Sequence, residues 1–234
     1  MRRISLIPAG ALALGLLISA PAAAAQESTA GLVSSLDVKQ LIASGEPADH
    51  ARLRDHFTAL AARYDDDARR HESMGRALTG NPNRGGGANL SAHCKRLAKL
   101  ASESAAITRE LAAHHERLAS GVPSTAPSGG AAFEQGAGAP GPREEQILEL
   151  ASGARTPADH RLLEEYFTDL AARYESESKQ HTAMAAAYRG NPRGHLASAA
   201  THCDRLARTT RDAATEAKAQ AGEHRSLAAT ATTR

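Results

Sequence analysis

Residues 48–82 read ADHARLRDHFTALAARYDDDARRHESMGRALTGNP, and residues 158–192 read ADHRLLEEYFTDLAARYESESKQHTAMAAAYRGNP. About half of the aligned positions are identical, and they are not scattered. In the first copy His50, Phe57, Tyr64, His71 and Leu78 recur every seven residues, with Leu53, Leu60 and Met74 at the companion positions. The second copy repeats the series as His160, Phe167, Tyr174, His181 and Tyr188, flanked by Leu163, Leu170 and Met184. This is the pattern of a long helix with one apolar stripe. Pro47 or Pro157 opens it, where a missing N–H costs nothing, and Gly-Asn-Pro stops it.

Beyond each long helix a second block matches, HCKRLA from His93 and HCDRLA from His202, extending loosely to His115 and His224. It predicts a second helix from about residue 90 to 120, and from about residue 196 to the chain end. Short helical segments are expected at 36–43 and 144–151. Each copy is thus a helical hairpin, residues 26–120 and 144–234, joined by a Pro/Gly-rich linker at 121–143. The expected fold is all-α, an antiparallel four-helix bundle made of two repeated long hairpins. Abundant alanine and an aromatic content of only 3 % favour helices over sheets.

Residues 1–25 have the form of a cleavable signal peptide: Arg2 and Arg3, an apolar run from Leu6 to Ala20, and small residues before Gln26. The mature protein is therefore expected to be periplasmic or secreted, with no integral membrane segment left after signal removal. A net charge of +2 with interspersed signs gives no basic stripe for nucleic acid. No nucleophile–base–acid set and no zinc-protease motif appears, so an enzyme is not expected. The acidic runs, Asp65 to Asp67 among them, are expected only to solvate exposed helix faces.

Histidine is the residue that carries chemistry. Of eleven histidines, eight fall in four matched pairs, while His56, His114 and His195 have no counterpart. Their neighbours have diverged, so a metal role is the expectation. His50 and His71 are 21 residues apart and His93 and His115 are 22 apart, so each interval spans about 32 Å of helix. An antiparallel hairpin then sets His71 and Met74 opposite His93 and Cys94, and His50 opposite His115. The second copy sets His181 and Met184 opposite His202 and Cys203, and His160 opposite His224. Were the second hairpin parallel to the first, one layer would hold His50, His115, His160 and His224, and the other the remaining eight residues.

A His-x-x-Met pair puts two donors on one helix face, and thioether or thiolate beside imidazole selects copper. The all-histidine layer would suit copper or zinc. Cys94 and Cys203 are open to either a disulfide or metal thiolates. The leading expectation is an exported copper-binding bundle for sequestration, storage or delivery, with metal ions as its partners. The alternatives are a b-type haem or electron-transfer bundle, and an envelope chaperone or interaction module whose histidines sense acid.

Overall fold

The computed structural model describes residues 32–81, 88–121, 142–191 and 196–231. Among them are six helices and no strand: α1 Ser35–Ser44, α2 Pro47–Gly80, α3 Ala88–Ala119, α4 Pro142–Gly153, α5 Pro157–Gly190 and α6 Ala197–Ala231. The protein is all-helical. The expected signal peptide, the body of the linker, His195 and the prolines of both Gly-Asn-Pro stops lie outside the described residues. None of the described helices is long and apolar enough to cross a membrane.

Local chemistry sets the helix ends. Gly45 closes α1 in the left-handed conformation (φ 62°), its N–H bonded to the Leu41 carbonyl. Thr156 and Asp159 form a capping box at α5, each side chain accepting the other's backbone N–H at 3.1 and 2.9 Å. Glu46 provides no such cap for α2, which relies on Pro47 and on Asp49 in its first turn.

The seven-residue series is the buried stripe. His50, Phe57, Tyr64, His71 and Leu78 are all buried, as are their five counterparts on α5. α2 packs on α3, α5 on α6, and α3 on α6. Contacts fix the directions. His50 meets His115 at one end of the first pair and Thr79 meets Ser91 at the other. Glu164 meets Arg225 and Arg189 meets Asp204 in the second. His93 reaches Glu216 while His202 reaches Glu110, so α3 and α6 also run oppositely.

The two seams between the helix pairs differ. Alanines line α3 and α6 (Ala101, Ala105, Ala213, Ala214 and Ala217 are buried), which lets these helices approach closely. No Cα of α2 lies within 8 Å of one of α5 among the described residues. Tyrosines and arginines hold these two apart and bridge the gap. Arg63 and Tyr64 bind Glu177 at 2.5 and 3.0 Å, and Arg173 and Tyr174 bind Asp67 at 2.6 and 3.3 Å.

This exchange explains a departure from the expected parallel arrangement. With α2 and α5 antiparallel, each copy's arginine and tyrosine meet the other copy's carboxylate. A parallel arrangement would set Arg63 level with Arg173 and Asp67 level with Glu177, like against like. It also corrects the reading of the acidic run: Asp67 is only 1 % exposed, a bridging carboxylate rather than a solvated one.

The short helices close the ends of the wide seam, α1 and α4 each packing on both α2 and α5. Asn191 donates from Nδ2 to the Ile42 carbonyl of α1 at 2.6 Å, and Asn81 donates to the Ala154 carbonyl beyond α4 at 3.2 Å. The asparagine of each Gly-Asn-Pro therefore fastens the short helix of the other copy.

Candidate functional site

Two histidine pairs stand out. His50 Nδ1 lies 3.1 Å from His115 Nδ1, and His160 Nδ1 lies 3.2 Å from His224 Nδ1. Each pair joins the first long helix of a copy to the second. The stripe residue one heptad further on covers it: Phe57 stacks on His115 at 5.6 Å between centroids, and Phe167 on His224 at 5.7 Å. Burial drives the His115 imidazole well below its ordinary range, helped by the neighbouring His114, His50 and His56. Burial likewise lowers His224 to about 3 and, less strongly, lowers His160. The His115, His160 and His224 rings are therefore neutral at pH 7, the state that ligates a metal.

The pairs differ in their second contacts. The Tyr188 hydroxyl lies 2.7 Å from His115 Nε2, whereas His224 Nε2 has no hydrogen-bond partner in the described structure. The cause is one substitution between the copies, since the stripe position of Tyr188 is Leu78 on α2. If His115 Nε2 carries the proton it donates to Tyr188, leaving Nδ1 free to accept or to ligate. That is the usual outer support of a metal-binding imidazole.

The four stripe-end histidines do not share one level. Tyr188 marks the first pair on α5, and His160 of the second pair lies 28 residues earlier on that helix, about 42 Å away. Opposed helices bring the open end of one copy to the closed end of the other.

The expected closed-end set is also divided. His71 and Met74 are fully buried, but His93 turns to the α3–α6 surface, 2.7 Å from Glu216 Oε2. His202 turns likewise to Glu110 at 3.0 Å. Neighbouring residues on a helix point about 100° apart, and the buried one is the cysteine. Cys94, Ala101, Thr108 and His115 recur every seven residues, as do Cys203, Thr210, Ala217 and His224, and all eight are buried. That heptad is visible in the sequence and assigns the core face to Cys94 rather than His93.

Both cysteines are free. Cys203 lies 13 residues from Glu216, which sits beside His93, so Cys94 and Cys203 are about 20 Å apart along the helices and beyond bridging distance. Burial raises both thiols to about 12, so neither is a thiolate at neutral pH.

Some residues of interest had no pattern to reveal them. His56 and His114 are unmatched, yet both are buried near His115; His56 Nδ1 accepts the Val33 N–H at 3.3 Å. Among the described residues no group of three or more His, Cys, Asp or Glu converges on a point that would hold a metal ion. Each pair is a two-nitrogen site. Comparison with models of known protein families, with curated proteins and with solved structures returned no match.

Proposed function

We propose that this chain is an exported copper-binding protein, an antiparallel four-helix bundle of two repeated hairpins that holds Cu(I) at its two histidine pairs. It sequesters, stores or delivers the ion and does no covalent chemistry. The signal-like first 25 residues support export to the periplasm or beyond.

One observation carries the metal reading: the Nδ1–Nδ1 gap of 3.1 Å in the first pair recurs at 3.2 Å in the second. Two nitrogens bound to one tetrahedral ion at 2.0–2.1 Å would lie about 3.3 Å apart, within a few tenths of both gaps. Imidazole suits copper and zinc alike. Zinc sites take three or four protein ligands, whereas Cu(I) is satisfied by two. A two-nitrogen Cu(I) is near-linear, so the rings would part to about 4 Å to take it, twice a metal–nitrogen bond of about 2.0 Å. Met74, Met184, Cys94 and Cys203 line the core elsewhere and are not needed for it.

The test is a Cu(I) competition titration under reducing conditions. The wild type is expected to take up two ions, and His50→Leu or His160→Leu one each. If the wild type takes up none, the facing imidazoles are only hydrogen-bonded to each other and the proposal fails.

A second reading has its own observation. His56 and His71 are lowered to about 4, and His181 and His224 to about 3, all chiefly by burial. Such a set makes the bundle responsive to acid, as an envelope interaction module would be. The b-type haem alternative lacks comparable support, because axial imidazoles meet the iron through ring nitrogens on opposite faces of the macrocycle. The facing nitrogens here lie only 3.1 and 3.2 Å apart, with no room for one between them.

A further inference from the structure

The wide seam between α2 and α5 is bridged at mid-length by charged groups and the hydroxyls of core tyrosines. Glu177 faces Arg63, Tyr64 and Asp67 of α2, and Arg173 and Tyr174 of its own helix. Asp67 faces Arg173 and Tyr174 of α5, and Arg70 and His71 of its own helix. The Tyr64 hydroxyl also lies 3.1 Å from His181 Nε2, and His181 feels His56 and Arg63 of α2. From α3 and α6 the buried polar residues at mid-length are Ser104, Thr108, Thr209 and Thr210, none of which titrates in the relevant range.

The seam therefore contains two fully enclosed imidazoles, His71 and His181, flanked by arginines. Neither ring nitrogen of His71 has a hydrogen-bond partner in the described structure, and Nδ1 of His181 has none. A proton added to His71 is opposed by burial, favoured by Asp67 and opposed again by Arg70 and Arg173, while one added to His181 is opposed by burial, His56 and Arg63. The opposite seam is alanine on alanine at its centre, with His93–Glu216 and His202–Glu110 at its edges and His114 beside Ser198.

We infer that the Asp67 and Glu177 cross-links with His71 and His181 form an acid-released latch, so that falling pH parts α2 from α5 at mid-length while α3 stays packed on α6. Both imidazoles are neutral in the closed state, lowered to about 4 and 3. The driving force grows as pH falls below the ordinary histidine value near 6.5 and levels off between about 4 for His71 and about 3 for His181. Asp67, held low by Arg173 against its burial, adds to it only in stronger acid. Glu177, raised by burial, acts in the opposite sense. Parting this seam would also pull Tyr188 of α5 from His115 of α3, loosening the first histidine pair. The inference rests on the two-hairpin reading of the fold and is independent of copper.

Hydrogen exchange of the metal-free mature chain, read by mass spectrometry and corrected for intrinsic rates, tests it. Between pH 7 and pH 5, residues 57–78 and 167–188 are expected to lose roughly five-hundredfold of protection, the effect of two released histidines. Residues 101–108 and 210–217 also lose protection as global stability falls, but are expected to remain the more protected set at pH 5, since they open only with the whole fold. The double variant His71→Leu/His181→Leu should retain α2 and α5 protection at pH 5. Equal protection in all four long helices at pH 5, or unchanged acid opening in the double variant, overturns the latch. If the double variant does not fold at pH 7, the pattern across the wild-type helices alone decides. Failure to bind Cu(I) would remove the metal proposal and leave this result standing.

Discussion

Lowering the pH from 7 to 5 should cost this protein roughly 7 kcal/mol of folding stability. Four buried histidines have folded values of about 4, 4, 3 and 3: His56, His71, His181 and His224. In the unfolded chain each titrates near 6.5. A folded value below the unfolded one means the unfolded state binds more protons in between. Stability is therefore full above about pH 6.5, falls as pH drops, and flattens below about 3, the lowest of the four folded values. At pH 5 an unfolded histidine is almost fully protonated while each of these four is mostly neutral, a difference of about 2 kcal/mol per residue. His115 and His160, also lowered, add to the loss, and Glu177 offsets part of it. Domains of this size are stable by about 5–15 kcal/mol in all, so the fold should approach its limit near pH 5. Urea titrations followed by far-UV circular dichroism at pH 7, 6 and 5, with chelator present, measure it. A total loss below about 2 kcal/mol would mean that no more than one histidine is held neutral, and the reasoning from burial would be refuted.

Tyr188→Phe removes the hydroxyl at His115 Nε2 and should cost about 1–3 kcal/mol, the penalty for a buried polar atom left without its partner; equilibrium unfolding against wild type reads it. Replacing both Asn81 and Asn191 with alanine removes the side-chain amides that fasten α4 and α1. It should cost about 2 kcal/mol in urea unfolding, and limited proteolysis should cut first around residues 35–44 and 142–153. Met74→Leu with Met184→Leu conserves buried volume and should cost less than about 1.5 kcal/mol. The same variant should leave Cu(I) stoichiometry unchanged in competition titration, and a reduced stoichiometry would return the thioethers to the site.

The helices were legible because periodicity and end signals are local. Pro47, Pro157, Gly80 and Gly190 bound the two 34-residue helices, and the spacing that set His50 opposite His115 is met by a 3.1 Å contact. The relative orientation of the two hairpins was not legible from the linker, whose composition favours no direction. It was written instead in Arg63, Tyr64 and Asp67 and their counterparts Arg173, Tyr174 and Glu177, which satisfy one another only when opposed. Read as surface charge, that signal was lost, and with it the separation of the two histidine pairs. The assignment of His93 and His202 to the core failed differently. In a His-Cys dipeptide either residue fits an apolar stripe by position alone, and the heptad through Ala101, Thr108 and His115 chooses the cysteine.

The crossed asparagines set an order of events as the chain emerges, N-terminus first. Asn191 closes the end of α1 through the Ile42 carbonyl, a partner 149 residues earlier in the chain. The first half waits for all of that intervening chain to emerge before the contact can form. Arg63 and Tyr64 wait almost as long for Glu177, presenting a charged, tyrosine-studded face to whatever is nearby. The nascent first half is thus an open-faced intermediate, complete in its helices and incomplete in its partners, until its own duplicate arrives to cover it.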